Sequence, residues 1–190
     1  MMVLASASPR RQELLRNAGI LFVVQAADIS EIPHAGEGPR ALAERLAREK
    51  AEAVFRERPN DLVLGADTIV VVDEQILGKP RDAGDAARML RLLSGRSHQV
   101  ITGVCLVGPG FEDVRSESTM VSVGALTNED INSYVATGEP MDKAGAYAIQ
   151  GMASRWISRI EGDYFNVVGL PVALVWGMLK EHEPGAEERS

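Results

Sequence analysis

The sequence predicts an α/β protein built around a mixed sheet. Two observations carry this. Strand-like and helix-like segments alternate through the first half of the chain, and strand-like segments with fewer helices between them follow. A purely parallel, doubly wound sheet would keep alternating to its end. No Gly-x-Gly-x-x-Gly follows a strand and no Walker-type loop occurs, so any phosphate site is of another kind. The 190 residues suit one domain, with room for two lobes. A chain of this size buries roughly 70% of its unfolded surface and needs no disulfide or metal staple.

Hydrophobic residues make up 45% and charged residues 25%, ordinary for a globular protein. A formal net charge of -7 argues against a protein that coats nucleic acid, but leaves room for a local basic pocket. No segment approaches the ~18 uninterrupted apolar residues of a membrane span. The N-terminus lacks a charged segment leading into a long apolar one, so no signal peptide and a cytoplasmic location are expected. The single cysteine, Cys105, sits in Val104-Cys105-Leu106-Val107 and reads as a buried small hydrophobe rather than a nucleophile.

Residues 2–5 read as a short buried strand. Ser8 suits a helix N-cap and Pro9 the first helical position; Leu14, Leu15 and Ala18 form the apolar stripe, and Gly19 ends the helix. Arg10 and Arg11 fall in the first turn, where the helix dipole favours acids. Such a conflict is expected where function overrides stability. Free N–H groups, two guanidinium forks and the hydroxyls of Ser6 and Ser8 make an anion site suited to phosphates. The plain alternative is a pair of solvated arginines. Leu21 to Ala27 reads as a second strand, ending in the acids Asp28 and Glu31. Pro33 to Pro39 is a loop, and Pro39 to Arg58 a helix with Leu42, Leu46 and Val54 on an i, i+4 ladder. Lys50 occupies a rung of that ladder, where snorkelling is the first expectation and a functional lysine the second.

Residues 61–80 hold the densest signal. The apolar runs Leu62-Val63-Leu64 and Ile69-Val70-Val71-Val72 read as buried strand, with Gly65-Ala66-Asp67-Thr68 between them. An ionised carboxylate in so apolar a stretch must be paired, hydrogen-bonded or metal-bound. Gly65 and Ala66 leave room for close approach to the backbone. Lys79 follows between Gly78 and Pro80, so the stretch suits a site for a metal and an anion. Its bland reading is a turn-capping Asp and a solvated Lys.

Asp82 can cap a helix from Ala83 to Leu93, stopped by Gly95. His98 to Val107 is a strand, Gly108-Pro109-Gly110 a turn, and Val114 to Gly124 a half-exposed antiparallel strand. Thr127 and Asp130 open a helix to Ala136 that Gly138 ends. Residues 137–151 are rich in small and turn residues, with Asp142, Lys143 and Gln150 as polar points and a short apolar strand expected between Gly145 and Gly151. Gln150 is either a surface residue or an amide that reads the donor–acceptor edge of a planar ligand. Trp156 to Ile160 is a strand, and residues 163–171 lead into a last helix, Val172 to Leu179, before a polar tail from about residue 181.

Four segments together resemble the Maf family of nucleoside triphosphate pyrophosphatases: Leu4-Ala5-Ser6-Ala7-Ser8-Pro9-Arg10-Arg11, Gly65-Ala66-Asp67-Thr68, Gly78-Lys79-Pro80, and residues 137–151. The first and last are specific; Gly-Lys-Pro alone is weak. Residues 144–151 resemble the branch acting on dTTP and UTP, with the 7-methyl-GTP branch ranked second. The resemblance implies one domain of two lobes with a long mixed sheet flanked by helices, similar to the inosine triphosphate pyrophosphatase fold, and an active cleft between the lobes. It implies that Asp67 is the proton acceptor and that Arg11, Thr68 and Gln150 govern substrate choice. Ser8, Arg10, Glu31, Lys50, Lys79 and Lys143 match polar positions of the family's cleft. A divalent cation, Mg²⁺ before Mn²⁺, held by Asp67 and Glu31, is implied, as is a homodimer.

The expected reaction cleaves dTTP or UTP between the α- and β-phosphates, limiting non-productive or modified nucleotides. Two rivals stand beside it: a nucleotide-sensing regulator of cell division that binds without turnover, and a hydrolase of phosphosugars or other phosphate esters.

Overall fold

The two apolar runs flanking Gly65–Thr68 are one continuous strand in the computed structural model, which describes residues 1–182. The expected polar tail lies, from residue 183 on, outside the described residues. In chain order the elements are β1 (Met2–Leu4), α1 (Pro9–Asn17), β2 (Phe22–Val24), α2 (Pro39–Glu57), β3 (Leu62–Val72), β4 (Gln75–Leu77), α3 (Ala83–Leu93), β5 (Ser97–Gly108), β6 (Phe111–Val123), α4 (Asn128–Ala136), β7 (Ile157–Glu161), α5 (Tyr164–Val168) and α6 (Val172–Glu181). The strands form a seven-stranded sheet in the order β2-β1-β3-β5-β6-β7, with β4 paired to β3 off that path. It is mixed, as expected: β1 lies parallel to β2 and β3, while β4 is antiparallel to β3 and β7 to β6. No helix among the described residues is long and apolar enough to cross a membrane.

The chain divides into two compact units. One comprises Met1–Asp67, Thr102–Glu117 and the chain from Gly169; the other comprises Thr68–Ile101 and Ser118–Val168. The strands β3, β5 and β6 each give residues to both.

In the first unit α2 buries Leu42, Ala43, Leu46, Ala47, Ala51 and Val54. Its alanines at positions 43, 47 and 51 recur every fourth residue and so share one stripe. That stripe meets two strand glycines. A Cβ on Gly65 would overlap the Ala47 carbonyl oxygen and lie 2.8 Å from the Ala51 nitrogen. One on Gly103 would overlap the Ala43 carbonyl and lie 2.6 Å from the Glu44 nitrogen. Helix backbone thus rests directly on strand backbone, and Ala47, Ala51, Val63, Cys105 and Val107 close the core around the contact. The expected second strand, Leu21 to Ala27, is shorter than its sequence suggests. β1 offers three residues, and only Phe22–Val24 pair with them. α1 ends as expected at Gly19, whose φ of 70° lets the Ile20 N–H reach back to the Leu15 carbonyl.

In the second unit Asp82 caps α3 through the Asp85 N–H, and Thr127 with Asp130 forms a reciprocal capping box on α4. Three features differ from expectation. β3 turns back into β4 through Asp73 and Glu74, both at positive φ (47° and 63°) without a glycine, so the usual hairpin signal is missing. The short strand expected between Gly145 and Gly151 does not form. Gly145 and Ala146 take left-handed φ values of 71° and 62°, which breaks an extended run, and residues 139–156 instead contain three short 3₁₀ segments, Glu139–Asp142, Ala144–Ala146 and Met152–Trp156. Residues 163–171 contain the short helix α5. Within this unit His98 is 1% exposed and shares a 2.7 Å hydrogen bond with the Tyr147 hydroxyl.

Two expectations follow. Gly65→Ala forces α2 off the sheet and should destabilise the protein by about 3 kcal/mol in denaturant unfolding. Gly177→Ala, in α6 with nothing near its would-be Cβ, should instead stabilise by about 0.5–1 kcal/mol. Equal effects would contradict the close approach. Burial lowers the His98 pKa from 6.5 to about 4. Below pH 6.5 the unfolded chain therefore takes up a proton that the folded one refuses, and stability falls as pH falls toward 4. This histidine should account for about 2 kcal/mol of lost stability between pH 7 and pH 5, and His98→Gln should lose that much less over the same interval.

Candidate active site

Asp67 lies two residues beyond Gly65 on β3, so both side-chain positions point to the face covered by α2. The turn of α2 that rests on Gly65 also carries Lys50. Its Nζ donates to Asp67 Oδ1 at 2.7 Å and lies 2.7 Å from Glu31 Oε1. The Lys50 and Asp67 side chains are 11% and 12% exposed, and the Glu31 side chain 51%. Lys50 therefore does not snorkel to solvent, as its rung on the apolar ladder suggested; it is an almost dry cation bracketed by two carboxylates. Removing water from either charge alone would cost several kcal/mol, so each depends on the other.

Glu31 sits in an irregular loop that Arg45 of α2 holds in place. The Arg45 guanidinium donates to both carboxylate oxygens of Glu37 at 2.6 and 2.9 Å, to Glu49 at 3.0 Å and to the Ile32 carbonyl at 3.1 Å. That grip lowers the Glu37 carboxyl to about 2. It also pins the backbone next to Glu31.

The start of α1 supplies the arginine part of the site. Ser8 occupies the N-cap position, but its side chain makes no capping hydrogen bond. Arg11 is not a solvated surface charge: it is half-buried, donating from Nη1 to the buried Ser6 hydroxyl at 3.1 Å and from Nε to the Gly169 carbonyl at 2.8 Å. Burial lowers its pKa; Asp67 and, more weakly, Glu31 oppose that shift, and neighbouring Arg10 reinforces it. A desolvated guanidinium beside a second one is a place where an anion is favoured. Gly169 had no signal in the sequence as part of this site: it lies 158 residues from Arg11 and stands at φ 133°, a conformation that favours glycine.

The remaining expected residues belong to the second unit. Thr68 follows Asp67 on β3 and is half-buried. Lys79 is exposed on the loop after β4, and the carbonyl of its neighbour Gly78 accepts from the Gly145 N–H at 3.1 Å. Lys143 Nζ donates to the Glu139 carbonyl at 2.7 Å and to Asp142 Oδ1 at 2.6 Å. Gln150 is exposed, and its amide has no hydrogen-bond partner among the described residues.

Chemically, the first unit offers a buried carboxylate, a second carboxylate, an ammonium between them and a half-buried guanidinium. Nucleophilic catalysis through sulfur is excluded, because Cys105 is buried in the core and burial pushes its thiol up to about 12. No cluster of three His, Cys, Asp or Glu side chains suited to a metal ion occurs among the described residues. Asp67 and Glu31 converge on the Lys50 ammonium, and their oxygens are of the kind a hard cation such as Mg²⁺ takes.

A family model described as Maf-like protein matches residues 1–182. Among curated proteins the chain is 59% identical to a dTTP/UTP pyrophosphatase of Koribacter versatilis over 94% of its length and 93% of that protein's. It is 55% identical to a dTTP/UTP pyrophosphatase of Symbiobacterium thermophilum over 95% and 93% of the respective lengths. Its fold is similar to that of the Staphylococcus aureus Ham1 protein, with a TM-score of 0.51 at 14% identity over 96% of this chain and 99% of the other. That likeness concerns the fold alone and agrees with the expected inosine triphosphate pyrophosphatase type.

Proposed function

As the match over residues 1–182 places this chain in the family of Maf-like proteins, we propose that it is a nucleoside triphosphate pyrophosphatase that hydrolyses dTTP and UTP to the monophosphate and pyrophosphate. The observation that carries the reading is the identity of 59% and 55% with dTTP/UTP pyrophosphatases along nearly their whole length. The geometry of the first unit supports it.

Asp67 is the proposed proton acceptor: its carboxylate is nearly dry and accepts from the Lys50 ammonium, which aims it. It takes the proton of the attacking water as the bond between the α- and β-phosphates breaks and the electron pair leaves with pyrophosphate. Arg10 and Arg11 are the proposed phosphate contacts at the start of α1, with the Ser8 hydroxyl beside them. Lys79 and Lys143 are proposed to meet the negative charge that grows on the departing pyrophosphate. Asp67 and Glu31 would hold Mg²⁺, with Mn²⁺ as a substitute. Such an ion would supply positive charge toward the phosphates and acidify water. Gln150 is the proposed reader of the base: uracil and thymine present a carbonyl beside an N–H, which an amide complements with one donor and one acceptor. Thr68 would add a hydrogen bond near the base or sugar. We further propose a cytoplasmic homodimer.

The test is product analysis of the purified protein with each common nucleoside triphosphate and Mg²⁺, with and without chelator. Monophosphate and pyrophosphate from UTP and dTTP, lost on chelation, is the expected result. Diphosphate and orthophosphate would move the attack to the γ-phosphorus and overturn the mechanism. Tight binding without turnover would favour a nucleotide sensor. Asp67→Asn should lower kcat by about a thousandfold or more with folding intact, as judged by its circular dichroism. Full activity in the folded variant would remove Asp67 from the role.

A further inference from the structure

The segment that carries Gln150 is irregular, and within the second unit one carboxylate organises it. Glu139 Oε1 accepts from the Tyr134 hydroxyl at 2.7 Å and from the Met152 N–H at 3.1 Å; Oε2 lies 3.3 Å from the same N–H. The Tyr134 oxygen in turn accepts from the Ala148 N–H at 3.2 Å. Glu139 and Tyr134 therefore hold the backbone two residues before Gln150 and two residues after it. The tyrosine is rigid: it is fully buried in α4 and packs edge-on against Trp156, ring centroids 5.4 Å apart. Glu139 also anchors Lys143, whose ammonium bonds to its backbone carbonyl.

Gly151 shows how close the clamp is. Its φ of -98° suits any residue, so its backbone conformation does not require glycine. A Cβ there would overlap the Glu139 carboxylate and lie 2.7 Å from Oε2. Glycine at 151 leaves the carboxylate room to reach the Met152 N–H. No regular strand or helix holds residues 147–151; a tight turn, with the Gly151 N–H donating to the Ala148 carbonyl at 3.1 Å, carries Gln150, and these side-chain bonds fix where that turn stands.

We propose that Glu139 and Tyr134 are positioning residues for base selection, acting through the Ala148–Met152 backbone to orient the amide of Gln150. The inference rests on the reading of Gln150 given under Proposed function. It adds a chain of residues that touch neither base nor phosphate yet decide which pyrimidine is accepted. Cytosine is the informative competitor, since it replaces the carbonyl and N–H of uracil with an amino group and a bare ring nitrogen.

The experiment measures kcat/KM for UTP and CTP in the unaltered protein and in Gln150→Ala, Glu139→Ala, Tyr134→Phe, Gly151→Ala and the double variant Glu139→Ala/Gln150→Ala. The ratio of two substrates in one preparation does not depend on how much of the protein is folded. Gln150→Ala should lower the UTP/CTP ratio about tenfold or more, and Glu139→Ala and Gly151→Ala should approach the same floor. Tyr134→Phe, which keeps the packed ring, should fall part of the way. The double variant should lose no more than Gln150→Ala alone, because both act through one amide. A wild-type ratio in Glu139→Ala, Gly151→Ala and Tyr134→Phe, with a collapsed ratio in Gln150→Ala, would overturn the inference and leave the reading of Gln150 standing. A wild-type ratio in Gln150→Ala would overturn that reading and the inference with it. Additive losses in the double variant would also overturn the inference.

Discussion

The contact between α2 and two bare glycines is the constraint on which the first unit depends. A helix normally rides on a sheet at the distance its side chains allow. Here Ala43, Ala47 and Ala51 present little more than backbone, and Gly65 and Gly103 present none but backbone, so the two surfaces close onto each other. Lys50 is next to one of those alanines and Asp67 is two residues past one of those glycines. The same approach that fills the core thus delivers the ammonium to the carboxylate at 2.7 Å. Had either glycine carried a side chain, the helix would stand off and the pair would become longer, wetter and less specific in aim.

The charges collected there follow one physical rule. A buried charge is tolerable when each of its faces has a partner. Lys50 has carboxylates on two sides, and Arg11 donates to a hydroxyl and a carbonyl while Asp67 and Glu31 act on it through their charge. The lysine holds and aims Asp67 and Glu31, and the arginine is fixed in orientation by the Ser6 hydroxyl and the Gly169 carbonyl.

The second unit solves a related problem without a helix or strand beneath it. Residues 139–156 run through short 3₁₀ turns, two of their residues at left-handed φ. Their backbone closes short turns on itself, and side chains complete the hydrogen bonding where no ladder runs. Tyr134 on the well-capped α4 provides a rigid post, and Glu139 joins that post to the turn on the far side of Gln150. The exposed Gln150 amide on its loop is thereby tied to a regular element, which is how loops acquire precision.

Much of this was legible in the chain because the governing signals are local. The spacing of Leu42, Leu46 and Val54 specifies α2, the Thr127–Asp130 pair specifies the start of α4, and an Asp among valines marks β3 as more than scaffold. The misplaced arginines of α1 stand out for the same reason: a charge against a helix dipole is visible within one turn. Tertiary structure decided what depends on distant partners. Whether Lys50 snorkels or pairs is settled by a carboxylate 17 residues away, and what holds Arg11 by a carbonyl 158 residues away. The missing strand at 145–151 and the short β2 have the same origin. An extended, apolar sequence becomes a strand only where a neighbour offers backbone to pair with, and composition carries no record of that neighbour.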